Sequence, residues 1–328
     1  TATAKERTIK PHVFITRAIA DAALTRIREV CEVDLWPEQL PPPHDVLIER
    51  ARGKHGLLTM LTDPIAEAVL DAAGPNLKVI SQMAVGFDNI DIKTAERRGI
   101  AVGNTPGVLT EATADIAMAL MLALGRRIVE GMAYIRAGQW KTWEPQTLLG
   151  IDLAGATLGV VGFGRIGRAF AKRAAAFDMH ILAYSPSLTD RDAHELGVER
   201  ADLDDLLRRS DVVSLHTALN AQTRHLLNRE RLALMKPSAI LVNTARGAVV
   251  DQQALYDALV AGTIAGAALD VTDPEPLPAD HPLLKLPNVV IAPHIGSATV
   301  GTRRRMALMA ADNLIAGVTG QPLPTRVV

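Results

Sequence analysis

A glycine-spaced turn between an apolar run and a helical pattern leaves this chain few ways to fold. Residues 158–161 read as a buried strand, Gly162, Gly164 and Gly167 follow at G-x-G-x-x-G spacing, and the Ala- and Arg-rich residues 168–177 have helical periodicity. Each glycine has its own task. The first permits the tight turn, the second lets a pyrophosphate approach the backbone, and the third lets helix pack on strand. Free N–H groups and the dipole at the helix start favour phosphate. Glycine-rich turns also follow buried strands in α/β proteins that bind nothing. Here a second strand, residues 180–184, comes at the expected distance, so the segment reads as a dinucleotide site.

The end of that second strand bears on which dinucleotide is bound. An NAD site usually carries Asp or Glu there for the ribose 2′-OH, whereas this chain continues Ser185, Pro186, Ser187, Leu188, Thr189. No carboxylate stands ready to repel a 2′-phosphate. The hydroxyls of Ser185, Ser187 and Thr189, helped by Arg191, favour NADP(H), and NAD(H) stays open because no Arg follows the strand directly.

At 328 residues the chain is long for one core, so two domains are expected. A hydrophobic fraction of 48% with 22% charged residues suits a soluble globular protein, and a net charge of −1 gives no electrostatic basis for nucleic-acid or membrane-surface binding. One cysteine and nine scattered histidines leave no metal-ligand cluster and no intrachain disulfide, as in a reducing cytoplasm. Residues 1–7 are polar and lack an apolar signal core, so export is not expected. The longest apolar run, residues 116–124, falls far short of the roughly 20 residues of a membrane helix.

Short apolar runs alternate with helical patterns over the first hundred residues, which argues for a parallel sheet covered on both faces. Within this block Ala84-Val85-Gly86-Phe87-Asp88-Asn89 follows a strand directly, and Gly86 could bring backbone N–H groups against a carboxylate. Asn104-Thr105-Pro106-Gly107 breaks the pattern and should cross between domains. Thr110 reads as the N-cap of one long helix running past Arg127, with Glu111 and Asp115 in its acidic first turn. Trp140 and Trp143 lie in a loop that needs a cover, and a second subunit is the expected one. After the glycine turn the βα alternation resumes as a doubly wound nucleotide-binding domain, closed by a final helix over residues 302–317 and a short Pro-bearing tail.

Three segments near strand ends of that domain each present one reactive side chain: Arg246, Glu275 and His294. The set suits hydride exchange at a carbonyl flanked by a carboxylate. Arg246 can hold a 2-oxo acid by paired charge-assisted hydrogen bonds, His294 can give a proton to the carbonyl oxygen, and Glu275 can orient the imidazole from its far nitrogen. Singly, each has an ordinary reading as a surface or structural residue. Their joint placement after a nucleotide fingerprint points to chemistry.

Over essentially its whole length the chain resembles the D-isomer-specific 2-hydroxyacid dehydrogenase family. The matching blocks are Val160-Val161-Gly162-Phe163-Gly164-Arg165-Ile166-Gly167, Met235-Lys236-Pro237, Asn243-Thr244-Ala245-Arg246-Gly247, Ala268-Leu269-Asp270-Val271, Pro274-Glu275-Pro276 and Pro293-His294-Ile295-Gly296-Ser297. The resemblance implies two doubly wound parallel-sheet α/β domains: a Rossmann cofactor domain, residues 106–294 with a dimerisation arm, inserted in a flavodoxin-like substrate domain, residues 1–105 plus 295–328. It implies Arg246, Glu275 and His294 as the catalytic set, with the substrate in the cleft. Val85 and Gly86 are implied as carboxylate binders, and Ser297 and Trp143 join them as substrate-side candidates. Cofactor contacts are implied at Gly164, Arg165, Ile166, Thr217, Thr244, Ala245, Asp270 and Gly296, besides Gly162, Gly167, Ser185 and Ser187.

Within the family, residues 77–81, Asp270-Val271-Thr272 and Glu275-Pro276-Leu277-Pro278 most resemble glyoxylate and hydroxypyruvate reductases. That makes a 2-oxo acid the expected small-molecule substrate and a homodimer the expected assembly. Ala218 stands where the family usually has Pro, and no appended regulatory domain is read. Rival readings are a dehydrogenase for lactate, glycerate or phosphite, and a nucleotide-sensing module that keeps the fold but lacks turnover.

Overall fold

The computed structural model describes residues 10–328. Residues 1–7, read above as too polar for a signal core, lie outside the described residues. The chain forms two compact units, one running up to Leu109 and resuming at Ala298–Val328, the other Thr110–Ser297. Both crossings fall a few residues beyond the positions read from sequence, since Thr110 already starts a helix of the second unit. No helix among the described residues is long and apolar enough to cross a membrane.

The first unit holds a five-stranded sheet of β1 (His12–Ile15), β2 (Glu32–Leu35), β3 (Gly56–Thr59), β4 (Val79–Gln82) and β5 (Ala101–Gly103). All pairs are parallel and the order is β2-β1-β3-β4-β5, the flavodoxin-like arrangement. Strands β3 and β4 are buried at every position, as a parallel sheet covered on both faces requires. The long helix Val300–Val318 supplies part of that cover. Its backbone comes so close that a Cβ on Gly317 would lie 2.4 Å from the Val79 Cβ. The carboxy-terminal residues add something the sequence did not announce. Val327 N donates to Val102 O and Val102 N to Val328 O, so the tail lies along β5 and covers an otherwise open sheet edge.

The second unit holds seven parallel strands: β6 (Thr157–Val161), β7 (His180–Tyr184), β8 (Glu199–Arg200), β9 (Val212–Leu215), β10 (Ile240–Asn243), β11 (Gly266–Leu269) and β12 (Val289–Ile291). Their order, β12-β11-β10-β9-β6-β7-β8, reverses direction between β6 and β9 as in a doubly wound nucleotide-binding sheet. The helix after β6, Arg165–Ala175, buries Gly167, Phe170, Ala171 and Ala174, a stripe at helical spacing that faces the sheet. The helix Thr110–Gly125 packs beside it, joined by Arg173 to Asp115 at 2.8 Å and to Glu111 at 2.7 Å.

Two sequence readings of that region need correction. Thr110 is the first helical residue, and Asp115 lies beyond the first turn, engaged with Arg173. The single long helix is two helices, Thr110–Gly125 and Ile128–Arg136. Arg127 between them is left-handed at φ 53°, which breaks the i to i−4 ladder, and its guanidinium bonds Glu130 in the second helix at 2.8 Å.

Candidate active site

The glycine turn after β6 has a separate steric reason for each glycine. Gly162 has φ 94°, and a Cβ there would stand 2.7 Å from the backbone of His216 and Thr217 after β9. A Cβ on Gly167 would meet the Gly162 carbonyl oxygen at 2.2 Å, so only glycine lets the helix sit this close. Gly164, the N-cap of the helix, has none of the described residues within 4 Å of its Cβ position. Open space before free N–H groups is what a pyrophosphate needs. Thr244, directly after β10, adds a buried hydroxyl without a hydrogen-bond partner among the described residues. These observations fit a nicotinamide dinucleotide, with Arg165 and Ile166 in the first helical turn and Thr217 beside Gly162.

At the end of β7 the Oγ atoms of Ser185 and Ser187 lie 3.4 Å apart. The other proposed 2′-phosphate ligands are used locally. Thr189 caps the following helix by accepting from Asp192 N, and Arg191 bonds Glu195.

The next strand end, after β9, contains a group that sequence reading passed over. His216 Nε2 is 2.9 Å from the buried Ser214 hydroxyl, its ring lies 5.1 Å from that of Phe170, and its Nδ1 is buried without a partner among the described residues. Burial pushes its pKa down to about 3, so the ring is neutral and acts as packing under the glycine turn.

At the ends of β10, β11 and β12 the polar side chains are fixed by one another. Asn243, fully buried, accepts from Ala245 N at 3.0 Å and donates to Arg246 O at 2.9 Å, which shapes the turn that presents Arg246. The Arg246 guanidinium also donates to Ala245 O at 2.9 Å. A Cβ on Gly247 would lie 2.0 Å from the Thr272 backbone, so glycine is needed where this turn crosses the segment after β11. His294 is left-handed at φ 53°, and its N–H donates to Asp270 O at 2.9 Å. Its Nδ1 is hydrogen-bonded to Glu275 Oε1. Nε2 is left without a partner among the described residues, on a side chain 23% exposed.

Asp270, read from the resemblance as a cofactor contact, has a structural task. Its carboxylate accepts from Ile295 N at 2.8 Å and Gly296 N at 2.7 Å, so it clamps the loop that carries His294. Burial raises its pKa above the usual carboxylate value, against the lowering effect of those two N–H groups. Spacing gives no sign of the clamp, because its partners lie 25 and 26 residues away. Ser297 is the last residue of this unit, and Trp143 and Trp140 are exposed on the loop after Ile128–Arg136.

In the first unit, Val85 and Gly86 lie on the half-buried loop after β4. Asn104 Nδ2 donates to Val85 O at 2.8 Å, and Gln82 Nε2 to Gly86 O at 3.3 Å. The structure thus places Arg246, Glu275, His294 and the glycine turn on one sheet, and Val85 and Gly86 on the other.

Comparison with known proteins matches residues 118–296 to the model of the D-isomer specific 2-hydroxyacid dehydrogenase, NAD binding domain. A glyoxylate reductase of Korarchaeum cryptofilum is 53% identical, over 97% of this chain and 96% of its own. The crystal structure of the TT0316 protein from Thermus thermophilus is 51% identical with a TM-score of 0.90, covering 97% of this chain and 100% of that one. An NADPH-dependent glyoxylate/hydroxypyruvate reductase from Sinorhizobium meliloti, solved with NADP and malonate, is 32% identical with a TM-score of 0.84, covering 97% of each chain.

Proposed function

The chain belongs to the D-isomer-specific 2-hydroxyacid dehydrogenase family, and from that premise we propose that it reduces glyoxylate, and hydroxypyruvate beside it, to the 2-hydroxy acid. The observation that carries this reading is the His294–Glu275 pair, its Nε2 open, on the same sheet as the glycine turn. The dinucleotide held by Gly162, Gly164, Gly167, Thr217 and Thr244 supplies a hydride when bound. His294 Nε2 gives the proton that the new alkoxide oxygen needs, while Glu275 holds Nδ1 and with it the ring's orientation. Arg246 pairs with the substrate carboxylate and polarises the carbonyl, and the backbone of the loop that carries Val85 and Gly86 takes the carboxylate as well.

NADP(H) is the preferred cofactor in this reading. Ser185 and Ser187 stand where an NAD site carries a carboxylate, and the Sinorhizobium meliloti relative was solved with NADP. Ile128, Val129, Met132 and Ile135 of one helix, with Trp140 and Trp143 beyond it, form an exposed apolar arm that a second copy would cover, so the assembly is a homodimer. A cytoplasmic location completes the reading, with the lone Cys31 a buried thiol whose pKa burial raises to about 11. The test is the consumption of NADPH and of NADH with glyoxylate, hydroxypyruvate, pyruvate and phosphite in parallel. Fastest turnover of glyoxylate or hydroxypyruvate with NADPH is expected. Turnover of phosphite or pyruvate alone would refute the substrate assignment.

A further inference from the structure

The loop after β4 offers backbone rather than side-chain chemistry, and three successive carbonyls in it are each held by a hydrogen bond. Ala84 O accepts from Thr105 N at 2.9 Å, Val85 O from Asn104 Nδ2 at 2.8 Å, and Gly86 O from Gln82 Nε2 at 3.3 Å. Among the described residues cis peptides fall only at Asp273-Pro274 and Glu275-Pro276, so these peptides are trans. In a trans peptide the carbonyl of one residue and the N–H of the next point in opposite directions. Each anchored carbonyl therefore aims the following N–H, of Val85, Gly86 or Phe87, away from its anchor. None of these three N–H groups donates a hydrogen bond among the described residues. Successive unspent N–H groups beside a bend are the backbone feature that can take an anion.

Both anchoring side chains are themselves fixed. Gln82 is fully buried, its Oε1 accepts from Thr59 Oγ1 at 2.7 Å, and its Nε2 also reaches Asn89 Oδ1 at 2.7 Å. Asn89 donates in turn to Met60 O at 3.1 Å and Asp63 O at 2.8 Å. Asn104 is held through its own carbonyl, which accepts from Asn313 Nδ2 at 3.0 Å and Thr325 Oγ1 at 2.6 Å. Buried amides are expensive when unsatisfied, and here every bond serves to hold this loop or its supports.

We infer that Asn104 and Gln82 are positioning residues: they hold the Val85–Phe87 peptides so that the backbone N–H groups of Gly86 and Phe87 stand ready for the substrate's carboxylate. The inference rests on the reading that this loop takes that carboxylate, and it names the side chains that shape it. Asn104→Ala is the sharpest variant, because it removes the bond to Val85 and leaves the Asn104 carbonyl anchors in place. KM for glyoxylate should rise about tenfold or more, the scale of a hydrogen bond to a charged group. The KM for NADPH should stay unchanged, and so should kcat/KM for methyl glyoxylate, which has no free carboxylate. Asn104→Asp, which sets an acceptor against the Val85 carbonyl, should be worse on glyoxylate. Gln82→Met should act in the same direction with a lower Tm, since Thr59 and Asn89 lose a partner.

An unchanged KM for glyoxylate in Asn104→Ala, or equal losses on acid and ester, would overturn the inference. Titration of the wild-type full chain with oxamate, followed through the backbone amide resonances, gives a readout independent of turnover and of whether the variants fold. Movement of the Gly86 and Phe87 amides supports the cradle, and stationary amides overturn it. Moving amides in a wild type inert toward glyoxylate would uphold the cradle and refute the glyoxylate assignment. Normal turnover with stationary amides would do the reverse.

Discussion

The two sheets share an architecture and differ in what fills the place where their strand order reverses. In the second unit the reversal lies between β6 and β9, and what meets there is bare backbone: Gly162 against His216 and Thr217, with open space in front of Gly164. In the first unit it lies between β1 and β3, and the chain supplies its own anion. Asp63, 1% exposed, accepts from Met60 N at 2.7 Å and from the Thr16 hydroxyl, with the Arg17 guanidinium 3.3 Å away. Topology alone therefore does not make a nucleotide site. Glycine at the reversal leaves it open, and a buried carboxylate closes it.

Variants can break or sharpen this contrast. The largest effect is expected on the second sheet, where His294→Gln should lower kcat/KM for glyoxylate by roughly 10²–10⁴-fold, the usual contribution of a general acid, with NADPH affinity nearly unchanged. Wild-type kcat/KM would remove His294 from its role. Next come two glycines of the same turn. Gly164→Ala should leave Tm intact and weaken NADPH binding by about tenfold or more, a lost charge-assisted hydrogen bond. Gly167→Ala, whose methyl meets the Gly162 carbonyl, should cost about 1–3 kcal/mol of stability as an overpacked site. Equal Tm values for the two would contradict the steric account.

A smaller contrast compares the buried carboxylates. Asp270→Asn and Asp63→Asn should each destabilise by about 1–3 kcal/mol, as buried donors lose an acceptor. Only the first should also lower turnover, since it alone holds the His294 loop, and denaturant melts beside kcat would separate the two. The smallest effect near neutrality belongs to His216. Its pKa is about 3 folded and near 6.5 unfolded, so below pH 6.5 the unfolded chain binds a proton that the native one does not. Stability should fall with pH between about 6.5 and 3, by up to about 1.4 kcal/mol per unit from this group. A His216→Asn variant with an equally steep acid limb would dismiss that assignment.

What could be read from the sequence was local in origin. The strand, glycine turn and helix from Thr157 to Ala175 lie within one stretch of chain, and fully buried parallel strands announce themselves as short apolar runs. Arg246, Glu275 and His294 were visible as unusual side chains near strand ends. The Asp270 clamp, the amides behind Val85 and Gly86 and the tail on β5 were not, because each joins residues brought together only by folding. The helix break at Arg127 escaped for another reason. An arginine is a good helix former, and nothing in its type marks a left-handed residue.

The central claim is hydride delivery to the carbonyl carbon of glyoxylate by the unit that carries the glycine turn and His294. Turnover of glyoxylate with NADPH deuterated at the hydride position, followed by mass spectrometry of the product, tests it most directly. Glycolate with one deuterium on its carbinol carbon is expected. Glycolate without the label, or no glycolate while the cofactor stays bound, would contradict it.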